Sequence, residues 1–503
     1  MVGTIFSYAA RSGVAVGFLS VLFGGLLHAR MIPTDLSETI AKESEYYQIE
    51  TFSLPDDLVA EVTGLALLPG DRVAILTRRG ELWIVDSIFD PDMSKQQFTK
   101  FADGLQEPIG LSYRDGWFYV TQRPELTRIR DSNGDGVADV YETVCDDWGV
   151  SGDYHEFAFG SKPDRDGNIW VALCLTSSRK SDTYLRGWAV RVTPDGEMIP
   201  SASGIRSPGG IGESHTGDMF YCDNQGYWNG TSSLKHLKPG SFHGCPAGNV
   251  WYDQVDTIGS RPAPTPIESR IEIERANIPN LVPPAILFPH GRLGQSPTDI
   301  VWDNSGGKFG PFGNQLFVAD YTRAQINRVF LEEVNGVQQG ACFPFVSGFK
   351  TGLISLLMTD DGVMFAGGQH RGWPSQGEIP YAFERLKWKG KTPFEILEMR
   401  ATHNGFELEF TDAVDELTAT DLSVYYMEAW TYIYREQYGS PEVDKVRPSI
   451  VSAEVLAGGR TVRLEVDGLV KGHLHMLELP GLRSQSGLPL LHQVAYYTLN
   501  EIP

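Results

Sequence analysis

Between about Thr51 and Gly390 the chain repeats one pattern: a short apolar run, a turn centred on Asp-Gly or a similar pair, an aromatic or β-branched run, and a third apolar run. The unit opens with Thr63–Leu67, Val73–Leu76 and Glu81–Val85, and a second copy runs through Pro108–Leu111, Asp115-Gly116, Trp117–Val120 and Leu126–Ile129. A third holds Phe157–Gly160, Asp166-Gly167, Ile169–Val171 and Trp188–Val192, and a fourth starts at Arg206–Gly210 and continues through Met219–Tyr221. Thr298–Trp302 with Gln315–Val318, then Leu353–Leu357 with Asp361-Gly362 and Val363–Phe365, bring the number of copies to six. Runs this short between such turns predict strands and hairpins, and a unit repeated at this length predicts stacked copies of one small sheet. A small sheet cannot bury both its faces alone, whereas a closed ring of sheets buries them all, so the repeat predicts a six-bladed β-propeller over 51–390. An open sandwich accounts for the hairpins and leaves the recurrence unexplained. The Pro-rich stretch from Gly240 to Gln295 is poor in strand pattern and reads as an insertion over one face.

Past Lys387-Trp388-Lys389-Gly390 the texture changes to strict alternation. Phe406, Leu408 and Phe410 fall on one side and Glu407 and Glu409 on the other, and Thr461–Val466 follows Gly458-Gly459. Alternation with one polar face marks a half-buried antiparallel sheet, which predicts a small Ig-like β-sandwich over 391–503 and an all-β chain. At the other end, Ser12–Leu27 is uncharged and rich in Val, Leu and Phe, follows Arg11 and runs into Leu27-His28-Ala29. It reads as a signal peptide over 1–29 cut near Ala29, or as an uncleaved N-terminal anchor, with residues 30–50 as a linker and the mature chain exported to the periplasm or beyond.

Composition narrows the partners. Asp and Glu number 64 against 42 Lys and Arg, a formal net charge of −22, which repels phosphate backbones and argues against a nucleic-acid partner. Five cysteines, Cys145, Cys174, Cys222, Cys245 and Cys342, contain no Cys-x-x-Cys unit and leave one or two disulfides or buried thiols as alternatives.

One local motif points to a metal. Asp131, Asn133, Asp135, Val137, Asp139 and Glu142 occupy positions 1, 3, 5, 7, 9 and 12 of a twelve-residue Ca²⁺ loop with Gly136 at position 6. The alternative is a polar Asp-Gly turn; with no flanking amphipathic helices, the expected role is to stiffen a loop between blades. His473 and His475 would share one face of a strand, but without a third ligand nearby they read as surface or satisfied core residues.

Gly307–Phe312, Gln315–Val318, Gln339–Phe345, Arg371-Gly372-Trp373, Lys391–Ile396 and Tyr438–Glu442 resemble the propeller domains of exported bacterial proteins related to glucose/sorbosone dehydrogenases, often fused to c-type cytochrome modules. The resemblance implies a propeller and export and, through the more distant quinoprotein sugar dehydrogenases, pyrroloquinoline quinone (PQQ) with Ca²⁺ as cofactors. By that resemblance His155, in Tyr154–Gly160, takes the place of the base that removes the substrate's hydroxyl proton, a role imidazole suits. Arg206, in Gly204–Gly210, takes the place of a residue over the central mouth that is both catalytic and a clamp on the quinone. Asp223, Asn224 and Gln225 stand where oxygen ligands of the cofactor's Ca²⁺ are found, and Arg323 is assigned as a second clamp by blade position. The implied function is quinone-dependent oxidation of a sugar or polyol, with a separate cytochrome c as a possible electron acceptor. The alternative is a non-catalytic propeller that binds a carbohydrate polymer or a protein; a rim role for His155 belongs to that reading.

Overall fold

The computed structural model of the chain describes residues 36–175, 181–255 and 258–503. The segment read as signal peptide or anchor lies outside the described residues, and no described helix is long and apolar enough to cross a membrane.

Strands dominate, as the pattern predicts. Six antiparallel sheets follow one another along the chain. The first holds Val62–Leu68, Arg72–Thr77, Leu82–Asp86 and Gln97–Ala102, and the second Leu111–Arg114, Trp117–Thr121, Leu126–Arg130 and Val140–Cys145. The third holds Ala158–Pro163, Ile169–Leu173, Trp188–Val192 and Met198–Ser203, and the fourth Pro208–Glu213, Met219–Asp223, Ser232–His236 and Ile286–Phe288. The fifth begins Pro297–Trp302, Leu316–Asp320, Gln325–Val334 and Val337–Ser347, and the sixth holds Leu353–Met358, Val363–Gln369 and Tyr381–Trp388.

The first strands of successive sheets are in contact, and that of the sixth sheet contacts that of the first. An apolar core fills each gap around this ring. Phe101 and Phe118 lie between the first and second sheets, Val171 and Trp188 between the second and third, and Trp170 and Tyr221 between the third and fourth. Phe220 and Val318, Phe317 and Met364, and Ile75 and Phe365 fill the remaining three. Burial follows position: Val62–Leu68 is buried everywhere except Leu67, while the outer strand Gln97–Ala102 alternates until its last two residues. Each large apolar side chain buried in these gaps contributes about 1.5–3 kcal/mol, which is why the ring is built from continuous apolar runs inside and alternating ones outside.

The sixth sheet takes its fourth strand from the start of the chain. Tyr47–Thr51 pairs antiparallel with Tyr381–Trp388, Tyr47 opposite Trp388 and Thr51 opposite Glu384. Residues 30–50 are thus not a linker throughout: from Ser37 they form a helix, Ser37–Glu43, and then this closing strand. Tyr47 holds the strand in place, its ring 4.8 Å from Phe345 and its hydroxyl donating to the Phe309 carbonyl at 3.2 Å.

The C-terminal region is a two-layered β module. One layer is Ile396–Thr402, Gly405–Phe410, Thr461–Asp467 and Ser449–Val455; Phe406, Leu408 and Phe410 are buried and Glu407 and Glu409 half-buried, as alternation predicts. The other layer, Val494–Leu499, His473–Glu478, Tyr426–Tyr432 and Glu442–Val446, extends the fifth sheet of the ring by pairing Ala341 with Tyr497, so that eight strands run together. Their shared core includes Ala341 and Phe343 from the ring, and Leu36 to Pro503 form one compact unit with no break at 390. Buried His492 ties the ends together, its Nδ1 2.6 Å from Glu395 Oε1 and its Nε2 3.0 Å from Glu43 Oε1.

The Gly240–Gln295 stretch is more than an insertion. Ser241–Phe242 adds a parallel strand to the third sheet, Pro246–Gln254 is a 3₁₀ helix, and Ile286–Phe288 completes the fourth sheet. All five cysteines are free and buried, and burial pushes thiols such as Cys174 up to about 11 and Cys245 up to about 12. Of the two alternatives, the buried-thiol reading is the one the structure adopts. His475 is buried and held neutral, its pKa pulled down to about 3 by desolvation, while His473 approaches the Asp444 carbonyl at 3.2 Å, so the pair is occupied as the core-and-surface reading has it.

Candidate functional site at the ring mouth

One face of the ring carries the loops that lead into each first strand. His155, Arg206, Asp223, Asn224, Gln225 and Arg323 all belong to loops or strand ends on that face, whereas the 131–142 turn lies on the opposite one. The ring axis below the face is nearly solid. A cavity of about 20 Å³, lined by Gly64, Gly110, Gly160, Gly209 and Asp299 among others, has room for little more than one water. Gly110 and Gly209 permit this closeness: a Cβ would come within 2.0 Å of the Gly160 carbonyl oxygen at the first and 2.1 Å of the Pro297 oxygen at the second. Lys162 of the third sheet reaches across the axis to Asp299 of the fifth, Nζ to Oδ1 3.1 Å, and Asp299 also accepts from the Leu356 N–H at 2.9 Å. A ligand of this face therefore sits on the mouth and not in the bore.

The loop before the third sheet projects His155 there. Its N–H donates to Asp153 Oδ1 at 2.9 Å, its ring stands edge-on to Tyr154 at 5.1 Å, and the side chain is exposed. Arg123, from the second sheet, moors this loop: its guanidinium donates to the Asp153 and Tyr154 carbonyls, both at 2.7 Å, and lies 4.2 Å from the Phe157 ring. Glu156 anchors the other side, accepting from Ser181 Oγ at 2.6 Å and from Ser151 Oγ. Tyr154 is 59% exposed and leans across the mouth until its hydroxyl lies where a Cβ on Gly372 would come within 2.6 Å. The 370–380 loop is fixed by Tyr321, whose hydroxyl accepts the Arg371 N–H at 3.0 Å and lies 3.0 Å from the Arg371 and Trp373 carbonyls. Burial raises the Tyr321 pKa and keeps this hydroxyl protonated.

A chain of ion pairs rims the same mouth. Arg78 donates to Glu61 Oε2 through Nε and Nη2 at 3.1 and 2.9 Å and to Glu107 Oε1 at 2.9 Å, and Arg123 Nε donates to Glu107 Oε2 at 2.7 Å. Arg79 and Arg371 approach Glu61 more loosely, at 3.7 and 3.8 Å.

The residues assigned to the quinone make contacts within the protein. Arg206 Nη1 donates to the Gln225 carbonyl at 3.0 Å and its guanidinium lies 5.3 Å from the Tyr438 ring of the C-terminal module. Asp223 is fully buried, paired with Lys235 at 3.0 Å, and accepts the Ser207 N–H at 2.9 Å. The amides of Asn224 and Gln225 donate to the Ser207 and Gly230 carbonyls, although Asn224 Oδ1 is buried without a partner. Arg323 is buried, its Nε 3.2 Å from Gln325 Oε1, and desolvation lowers its pKa. Arg206, Arg323 and Asp223–Gln225, expected to clamp the quinone, thus lie on the face that carries His155 and have hydrogen-bond partners within the protein.

The 131–142 turn joins the third and fourth strands of the second sheet, so it lies within one sheet and not between two. Asp131 accepts the N–H groups of Gly134 and Gly136 at 2.7 and 2.8 Å, Asn133 that of Asp135 at 2.9 Å, Asp135 that of Val137 at 2.9 Å, and Asp139 that of Ser132 at 2.7 Å. Glu142 sits in the following strand and receives Arg128 Nε at 2.7 Å. Among the described residues no three His, Cys, Asp or Glu side chains come together as a metal-holding group.

Sequence reasoning missed Arg123, the Glu61–Arg78–Glu107 chain, Arg79, Arg371 and the Lys162–Asp299 pair. Their only linear signal is position: Glu61, Arg78, Arg79 and Arg123 flank strands of the repeat at the end where His155 lies.

Comparison with known proteins adds three findings. Residues 61–244 match a family described as "Domain of unknown function (DUF7133)". No curated protein matches. Solved structures similar to the chain include a putative oxidoreductase (glucose dehydrogenase) from Thermus thermophilus, at 17% identity and TM-score 0.48 over 68% of this chain and 99% of that one. Others are the PQQ-bound form of aldose sugar dehydrogenase from Streptomyces coelicolor, at 14% identity and TM-score 0.45 over 68% and 98%, and the holo pyranose dehydrogenase PQQ domain from Coprinopsis cinerea, at 12% and 0.47 over 68% and 97%.

Proposed function

We propose that the chain is an exported six-bladed propeller with a C-terminal Ig-like module, that it binds a sugar or polyol on the ring mouth, and that it is an oxidoreductase of the sugar-dehydrogenase kind in which His155 accepts the proton of a bound hydroxyl. The observation that carries this reading is His155 itself: an exposed imidazole, moored through Arg123, beside the exposed ring of Tyr154, whose hydroxyl reaches the loop that bears exposed Trp373. Aromatic faces with a few convergent polar groups are what a saccharide ring meets in a binding site. PQQ is the cofactor the resemblance implies, and it would take the hydride that leaves the carbon as His155 takes the hydroxyl proton; of the residues assigned to hold it, Arg206 is half-buried and donates to a neutral carbonyl, Arg323 is buried against the neutral Gln325 amide, and Asp223 is paired with Lys235. A separate cytochrome c would then accept the electrons from the reduced cofactor one at a time. The 131–139 turn is proposed to take Ca²⁺ through Asp131, Asn133, Asp135, the Val137 carbonyl and Asp139, stiffening the second sheet far from the mouth; oxygen donors of this kind suit the ion.

The test is calorimetric titration of the full chain with aldoses and polyols, and then with PQQ and Ca²⁺, followed by a dye-linked oxidation assay. Sugar binding that survives in His155→Ala while turnover disappears supports the base. Sugar binding without turnover under any cofactor leaves a carbohydrate-binding propeller, and absence of sugar binding overturns the reading.

A further inference from the structure

Three guanidinium groups of the mouth converge on one carboxylate. Glu61 is 7% exposed at its side chain, and its Oε2 already accepts two hydrogen bonds from Arg78. Arg79, from the first sheet, and Arg371, from the loop of the sixth, come only to 3.7 and 3.8 Å of it and remain 50% and 56% exposed. The neighbouring carboxylate, Glu107, is shared between Arg78 and Arg123. Four arginines thus meet two glutamates, an excess of two positive charges. Asp153, on the His155 side, accepts the His155 backbone N–H and brings one more negative charge, which leaves an excess of one positive charge. This patch lies on a protein whose formal charge is −22, so it is a local reversal and not a reflection of composition.

The uncommitted charge sits next to the rings. Arg371 precedes Gly372, on which the Tyr154 hydroxyl rests, and Trp373, which is 56% exposed. Guanidinium groups favour oxyanions because two N–H donors meet two oxygens side by side. We propose that the saccharide taken at this mouth is anionic, a sugar bearing a carboxylate or a sulfate whose charged group lies between Arg79 and Arg371 while its ring lies against Trp373 and Tyr154. The proposal rests on the reading of the mouth as a saccharide site and names the substrate class of that site.

The experiment compares glucuronate, glucose 6-sulfate, glucose and inorganic sulfate by calorimetric titration of the full chain, in low and in physiological salt. Either charged sugar is expected to bind at least about ten-fold more tightly than glucose, the worth of one charge-assisted hydrogen bond, and to weaken as salt screens the pair. The carboxylate and sulfate arms distinguish the two sources of the charge. Arg79→Ala and Arg371→Ala, checked for an unchanged melting temperature, should each remove most of the preference while leaving glucose binding in place. Arg371→Lys, which keeps the charge and loses the fork, should fall between. Equal binding of glucose and glucuronate, or a preference that survives both alanine variants, overturns the proposal, as does inorganic sulfate binding as tightly as the charged sugars. Binding of PQQ that depends on Arg371, with no binding of glucuronate, would assign the pair to a cofactor anion and overturn the proposal in another way. Binding of no sugar at all refutes the saccharide reading itself and this proposal with it.

Discussion

Replacing His492 by glutamine should change how the stability of this protein depends on pH. The imidazole is buried between Glu43 and Glu395, and the two carboxylates outweigh desolvation to raise its pKa from 6.5 to about 10. A group whose folded pKa exceeds its unfolded one contributes fully below the unfolded value and loses that contribution as pH rises towards the folded one, so the window runs from about pH 6.5 to 10. Within it the folded protein holds one proton more than the unfolded chain, and stability falls by about 1.4 kcal/mol per pH unit from this group alone. Summed over the window the ceiling is about 5 kcal/mol, and breaking a buried pair by removing one partner costs about 3–5 kcal/mol. Urea unfolding of the wild type and His492→Gln at pH 7.5, 8.5 and 9.5 measures the slope. Other groups that titrate in this range, the buried tyrosines and cysteines, contribute equally to both proteins and cancel in the difference. The expected result is a variant several kcal/mol less stable at pH 7.5 whose deficit shrinks steadily towards pH 9.5. A deficit that stays constant across the three pH values would refute the charged-imidazole argument, because it would mean that only packing was lost.

Three further outcomes follow from the geometry. Arg123→Ala removes the donors that hold the Asp153 and Tyr154 carbonyls, and faster hydrogen exchange confined to residues 150–157, with an unfolding free energy lower by about 2–3 kcal/mol, is the expected result. Lys162→Met leaves Asp299 buried without its counter-ion and should cost about 3 kcal/mol or more, while Lys162→Met with Asp299→Leu should recover most of the loss, measured by denaturant midpoint. Ca²⁺ should raise the melting temperature of the wild type but not of Asp131→Ala, and Glu142→Gln should leave that shift intact because Glu142 is held by Arg128. An equal shift in Asp131→Ala would place any Ca²⁺ elsewhere.

The ring was readable from the sequence because each inner strand, such as Val171 with its neighbours, must be apolar on both faces, and that demand leaves a repeating trace. The C-terminal layer Gly405–Phe410 was readable for the opposite reason, since one wet face forces alternation. The closing strand Tyr47–Thr51 left no comparable trace: its partner is more than three hundred residues away, and five residues of mixed character look like any extended segment. The site was partly legible. His155 lies on an exposed loop of the mouth, but Arg206 lies 5.3 Å from the Tyr438 ring, a contact across more than two hundred residues that no local motif encodes. The resemblance places Asp223 at a cation-ligand position, and no sequence pattern shows that its carboxylate pairs with Lys235, twelve residues on.

The pairing of Tyr47–Thr51 with Tyr381–Trp388 has a consequence for the order in which the protein is made. A chain emerging from its N-terminus must keep one edge strand waiting while more than three hundred further residues appear, and contacts of such sequence separation are slow to form. Until the sixth sheet arrives, the ring is an open arc with two apolar ends exposed, the state most prone to self-association. Glu43 then waits still longer for His492. Maturation is accordingly expected to be a late event that locks the whole molecule at once, and a chain interrupted anywhere short of the last dozen residues should be found with chaperones or proteases rather than as a smaller stable protein.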